Sequence, residues 1–401
     1  MDRPRGDCTQ CHEHSTGDRS IATNGYGLFT RDDNQLCFVC HALPSENGIF
    51  PGNAPWQQSS HALASNQGDS SKCTSCHDPH GVKDARGVIP AMLAGRESDL
   101  CVKCHDGSRA ADLRDQLTKP YWHGMQARGS HDPHEANNPA KFAAIPAQNR
   151  HVECSDCHNP HRAIKERLVP DAPAASSLLL GVSRIEVSNN AAGLAPRYTF
   201  RGADDPSQAN EYEICFKCHS GWTKQPAGQT DFALVTNPNN PSYHPIQAAG
   251  KNPKIDPNSF VSGYAADSIV TCTACHGGDD ATVAGMHGSS YRYLLKKPSG
   301  TTAKDDVCFS CHSFDVYGSA ASAQDVQRAS RFNAGTGHAF HVGLKNLPCA
   351  TCHETHGSTR LPFLIAKNRF PGITTYVQTP TGGTCTSSCH APQTYTITYP
   401  R

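Results

Sequence analysis

Apolar residues along this chain come in short clusters separated by long polar, turn-rich stretches. The clusters are Tyr26-Gly27-Leu28-Phe29, Val88 to Leu93, Leu178 to Leu180, Tyr291 to Leu295 and Leu361 to Ile365. None approaches the ~18 apolar residues of a membrane-spanning segment. Regular periodicity is sparse. Gly181 to Val187 alternates like a strand and Arg197 to Phe200 supplies a partner, which predicts a small hairpin on the surface. Thr394 to Tyr399 alternates in the same way and reads as an edge strand or a frayed terminus. Short helices are expected at Asn34-Gln35-Leu36-Cys37, Ser98-Asp99-Leu100-Cys101 and Glu213-Ile214-Cys215, with loops filling the rest.

Composition deepens the problem. Hydrophobic residues make up 37 %, against about 45–50 % in an ordinary globular domain. There are 33 glycines and 28 prolines, a turn-rich make-up for a chain of this size. The amino acids alone describe a chain too poor in apolar material to close a core. Charge excludes one class of partner. With 36 basic and 36 acidic residues, and no basic run, nothing supports nucleic-acid binding. The start, Met1-Asp2-Arg3-Pro4-Arg5, has no apolar signal-peptide region.

The cysteines resolve the problem. All 20 fall into pairs whose second member is followed by histidine. Nine pairs read C-x-x-C-H: Cys8/Cys11/His12, Cys37/Cys40/His41, Cys73/Cys76/His77, Cys101/Cys104/His105, Cys154/Cys157/His158, Cys215/Cys218/His219, Cys272/Cys275/His276, Cys308/Cys311/His312 and Cys349/Cys352/His353. The tenth, Cys385/Cys389/His390, has one extra residue between its cysteines. C-x-x-C-H is the attachment signature of a c-type haem. Both thiols bond the haem and the histidine becomes a proximal ligand of its iron. Zinc sites, redox dithiols and a disulfide framework give no reason for a histidine after every second cysteine. The expected fold is therefore mostly irregular, with short α-helices and a few short β-hairpins wrapped around a stacked, elongated chain of ten c-type haems. The porphyrins supply the missing core, and the haem-free chain is expected to be largely unfolded. Because c-type haem is attached outside the cytoplasmic membrane, export is expected, with the signal removed.

The motifs alternate in kind. Odd ones are followed by another histidine and an apolar cluster; even ones are preceded by a polar and an apolar residue. This reads as five two-haem repeats, about 6–60, 61–122, 123–243, 244–337 and 338–401. The spacing from odd to even motif is 29, 28, 61, 36 and 36 residues. An insertion at about 162–211 lengthens the third.

Ten histidines are proximal ligands, which leaves thirteen of 23. One class follows the odd motifs: His14, His80, His161, His287 and His356. A second lies past the even motifs: His61, His123, His244 and His338. The tenth distal ligand is expected from His341, His151, His131 or His134, with His341 and His151 favoured by their places before Cys349 and Cys154. If every haem has two histidines, no iron is open to substrate, no catalytic residue is expected, and potentials are low.

Cys73-Thr-Ser-Cys-His-Asp-Pro-His-Gly81 and Glu211-Tyr-Glu-Ile-Cys-Phe-Lys-Cys-His219 resemble the paired C-x-x-C-H domain of multihaem cytochromes from metal-reducing bacteria and some archaea. The resemblance covers the whole chain. It implies an electron-transfer protein rather than an enzyme, located outside the cell or at its surface, with the periplasm as alternative. The favoured role is a subunit that self-associates into extracellular filaments and passes electrons to other cytochromes or extracellular acceptors. The second is a periplasmic or porin-associated conduit, although the insertion would crowd a barrel lumen. A nitrite- or hydroxylamine-type reductase comes last, because such enzymes keep one open iron, often beside a C-x-x-C-K motif that this chain lacks.

Overall fold

The computed structural model describes residues 11–12, 33–45, 50–64, 71–85, 87–124, 152–165, 170–223, 228–252, 254–283, 285–332 and 337–397. Most are in turns and loops, between short helices and small antiparallel sheets. The longest described helix, Glu211–His219, has nine residues. No helix among the described residues is long and apolar enough to cross a membrane.

The side chains close only small clusters. Ile185, Phe216 and Ala233 form one, with Tyr198, Phe200, Trp222 and Phe232 packed around it. Ala175, Val182 and Ile214 form a second, and Ile365, Ile373 and Tyr376 a third.

The haem motifs wind as single turns. In seven of them the histidine N–H donates to the carbonyl of the first cysteine, for example His77 to Cys73 at 2.8 Å and His353 to Cys349 at 3.0 Å. This closes the five residues into one helical turn with both thiols and the imidazole projecting from it. Even motifs two, four and six begin in α-helices, Asp33–Phe38, Glu97–Val102 and Glu211–His219, and motif eight in a 3₁₀ turn, Val307–Ser310. Odd motifs three, five, seven and nine sit on 3₁₀ turns that begin at the first cysteine. The tenth motif departs, because its extra residue breaks the turn. Cys385 lies on strand Gly382–Ser387, and the N–H groups of Cys389 and His390 both donate to Ser387 Oγ at 3.1 Å.

Two-residue antiparallel ladders tie distant segments. Tyr121–Trp122 pairs with Gly288–Ser289, and Ser242–Tyr243 with Gly357–Ser358. The glycines are required by contact. A Cβ on Gly288 would lie 1.7 Å from the Gln116 carbonyl oxygen, and one on Gly357 would lie 1.8 Å from that of Val235.

The hairpin forms as Arg184–Ser188 against Arg197–Arg201. Its place corrects the expectation of a surface appendage. Ile185 is fully buried against Phe216 of the helix that carries the sixth motif. Arg184, 4 % exposed, donates to Glu213 at 3.1 Å and Asp205 at 2.9 Å. The insertion is thus a buttress for one motif, because its alternating strand buries one face and a short hairpin is not stable alone. The tail strand, Gln393–Thr396, forms the edge of a three-stranded sheet with Gly382–Ser387 and Ile373–Thr379.

Candidate haem-binding sites

Nine of the ten proximal histidines face another histidine across a gap of nearly constant width. Ring centres are 6.1 Å apart for His12 and His80, 6.0 Å for His77 and His161, and 6.4 Å for His105 and His61. His158 and His287 are 6.1 Å apart, His219 and His123 6.4 Å, His276 and His356 6.0 Å, and His312 and His244 6.5 Å. His353 and His338 are 6.0 Å apart, and His390 and His341 6.3 Å. Direct ring stacking would be closer. Two imidazoles bonded at about 2 Å to opposite sides of one metal ion, each ring centre about 1.2 Å beyond its nitrogen, lie about 6.4 Å apart. The pairs fit a six-coordinate iron.

The odd-motif rings His12, His77, His158 and His276 meet partners from the next repeat, whereas the other five rings meet partners from their own. His161, His287 and His356, which follow odd motifs, face His77, His158 and His276 of the preceding odd motifs. His61, His123 and His244 face His105, His219 and His312 of the following even motifs. The short ladders set this exchange. His123 and His287 flank one ladder, and His244 and His356 flank the other. His338 and His341 serve the last two motifs from one turn. Cys8, His14, His131, His134 and His151 lie outside the described residues.

Main-chain carbonyls orient the rings. His77, His158, His276 and His353 direct Nδ1 at the carbonyls of Ala91, Leu178, Tyr293 and Phe363, at 2.8–3.0 Å. His61, His123, His244 and His341 do so at Pro160, Met286, Thr355 and Gly337, at 2.6–3.1 Å. A carbonyl only accepts, so Nδ1 carries the proton and Nε2 keeps its lone pair toward the gap. Burial supports the neutral form. It holds His61, His77, His123, His244, His276 and His353 below the ordinary histidine value, and His219, His312 and His356 at about 4.

The apolar clusters after the odd motifs therefore do more than pack. Three of them bend through left-handed doublets at Ala91-Met92, Tyr293-Leu294 and Phe363-Leu364, with φ of 52–63°. This conformation costs an L-residue of order 1 kcal/mol, and it turns the carbonyl onto the proximal histidine.

Consecutive motifs also adjoin. The first cysteine of each even motif lies beside the first cysteine of the next odd one: Cys37 by Cys73, Cys101 by Cys154, Cys215 by Cys272 and Cys308 by Cys349. Cys76 and Cys104, Cys157 and Cys215, Cys275 and Cys311, and Cys352 and Cys385 are also neighbours. Polar side chains on the even helices, unrecognised in the sequence, hold these junctions. Glu211 accepts from Thr273 N at 2.9 Å and Oγ1 at 2.6 Å, Glu97 from Ser155 N at 2.5 Å and Oγ at 2.9 Å, and Asn34 from Cys73 N at 2.7 Å. Their signal was the polar residue before each even motif. None of the nineteen described cysteines is disulfide-bonded. Burial pushes the Cys157 thiol up to about 12 and Cys275 and Cys352 to about 11, opposite to a reactive dithiol.

The attachment cysteines do not share one environment. Cys11 and Cys40, in the first two motifs, and Cys389, in the last, are exposed, whereas every other described cysteine is half-buried. Cys40 keeps the motif's turn, its N–H donating to the Cys37 carbonyl at 3.2 Å. Cys218 is half-buried near the end of helix Glu211–His219, where its carbonyl accepts from Thr223 Oγ1 at 3.4 Å. That bond caps the helix end and steadies the thiol beside His219.

The chain matches two family models. Residues 3–44 and 64–110 match the doubled CXXCH motif, and residues 202–364 match domains II/IV of outer membrane cytochromes of the MtrC/MtrF-like kind. It is similar to the multihaem cytochrome MtrA of Shewanella baltica (strain OS185), with 26 % identity over 166 residues. That alignment covers 40 % of this chain and 37 % of that protein. No solved structure matches. With the repeated motifs, these matches identify the chain as a multihaem c-type cytochrome.

Proposed function

We propose that this protein carries ten c-type haems, each closed by two histidines, and conducts electrons along them in extracellular electron transfer. The observation that carries this reading is the set of nine imidazole pairs spaced for one iron each. An iron held between two histidines changes oxidation state without binding a substrate. The protein's own residues supply the rest. The cysteine contacts link motif to motif from the second to the tenth, which favours a continuous file of attachment points. The carbonyls and ladders hold each ring in place.

The particular role we favour is a filament subunit, because Gln393–Thr396 offers an exposed sheet edge to which a second copy could add a strand. The match of residues 202–364 to outer membrane cytochrome domains supports a second reading, a conduit at the outer membrane working with other cytochromes. Negative-stain electron microscopy of the holoprotein distinguishes them. Micrometre-scale filaments are expected for the first role, and discrete particles at every concentration refute it. Ferric electron paramagnetic resonance tests the shared claim, since a dominant high-spin signal would refute paired ligation.

A further inference from the structure

The nine histidine pairs divide by the angle between their ring planes. At motifs one, three, five, seven and nine the planes lie 11°, 15°, 23°, 12° and 24° apart. At motifs four, six, eight and ten they lie 61°, 51°, 63° and 51° apart. No pair falls between 24° and 51°, and the division follows the order of the chain.

The cause is in the backbone. At odd motifs three, five, seven and nine, a carbonyl of the following cluster orients the proximal ring. At even motifs four, six and eight, a carbonyl orients the distal ring instead, and it belongs to the residue just before an odd motif's distal histidine: Pro160, Met286 and Thr355. One short segment thus aims two rings, its own histidine at an odd iron and its carbonyl at the ring of an even one. Two orienting devices give two angles.

The angle has an electronic meaning. Each imidazole donates π density into the iron d orbital perpendicular to its plane. Near-parallel rings load one orbital of the pair and split it from the other, which favours the ferric state. Steeply crossed rings load both, leave them nearly degenerate and favour the ferrous state by comparison.

Building on the paired ligation proposed above, we infer that the chain holds two classes of haem in alternation, a lower-potential class at odd motifs and a higher-potential class at even motifs. Neighbouring sites along the file are then unlike, so the protein has no single downhill direction written into its ligands.

Low-temperature electron paramagnetic resonance of the ferric holoprotein during a stepwise reductive titration tests this. Parallel rings give a resolved rhombic low-spin signal, and crossed rings a strongly anisotropic signal of large maximal g. The rhombic class should account for five of ten haems, the haem of His41, at the second motif, falling in the large-g class. The large-g signal should vanish first as the potential falls. His161→Met should remove one centre from the rhombic class, and His61→Met one from the large-g class. A single low-spin class, loss of the rhombic signal first, or loss of rhombic intensity in His61→Met would each overturn the alternation. A dominant high-spin signal in the unaltered protein would instead overturn paired ligation itself.

Discussion

Gly288 sits where the ladder between Tyr121–Trp122 and Gly288–Ser289 crosses the Gln116 backbone. In Gly288→Ala, the new methyl would lie 1.7 Å from the Gln116 carbonyl oxygen, where ordinary contact begins at 3.4 Å. Its backbone conformation is open to alanine, so the penalty is one of contact alone. Relief requires a shift of about 1.7 Å between main-chain segments, which puts the cost at the upper end of overpacking, about 3 kcal/mol. The ladder would open locally before the rest of the fold. Amide exchange in peptides spanning residues 116–124 and 285–290 should accelerate by about two orders of magnitude. Because His123 and His287 flank this ladder, low-spin signal should be lost at the haems of motifs five and six. Gly357→Ala should behave alike at motifs seven and eight, given its 1.8 Å contact. Gly124→Ala, with nothing within 4 Å, is the neutral control. Unchanged exchange and spectrum in Gly288→Ala would refute the ladder as the device that sets ligand exchange.

Other substitutions probe the supports. Arg184→Ala should cost about 3–5 kcal/mol, because it strands the buried Glu213 carboxylate; a change in thermal unfolding below about 1 kcal/mol would count against the buttress. Glu211→Ala should cost about 2 kcal/mol through its two hydrogen bonds to Thr273, read in the same assay. Burial, then the neighbouring Glu153, raises Glu97 from 4.5 to about 7, so the native state retains a proton that the unfolded chain releases. Its contribution is full below the unfolded value and lost as pH rises through about 7. Glu97→Gln should therefore flatten the melting profile between about pH 5 and about pH 8, and a profile parallel to the unaltered protein would contradict this.

The motifs, the helices on motifs two, four and six, and the hairpin strands were legible in the sequence, because each is local. The pairing was not. His77 meets His161 and not the nearby His80, and the crossings of His287 and His356 sit beside ladders of two residues, too short to leave a periodic trace. The left-handed doublets were equally hidden. Ala91-Met92, Tyr293-Leu294 and Phe363-Leu364 contain no glycine to mark positive φ, and they read only as apolar clusters. The insertion misled because an alternating strand says that one face is buried without saying against what. His338 resembles the second ligand class in position, yet it faces His353 of its own repeat.

The exchange of histidines has a direction in time. A chain made and exported from its N-terminus presents His61 before His105, His123 before His219 and His244 before His312. Each of these even sites is complete once its own motif emerges. The odd sites wait. His77 precedes His161 by 84 residues, and His158 precedes His287 by 129. Until the next repeat arrives, each such site lacks its second imidazole, and only His353, whose partner His338 has already emerged, escapes the delay. On the proposed ligation, maturation is staggered, with odd sites before the last trailing by one repeat, and a chain halted midway ends on a site that is chemically open.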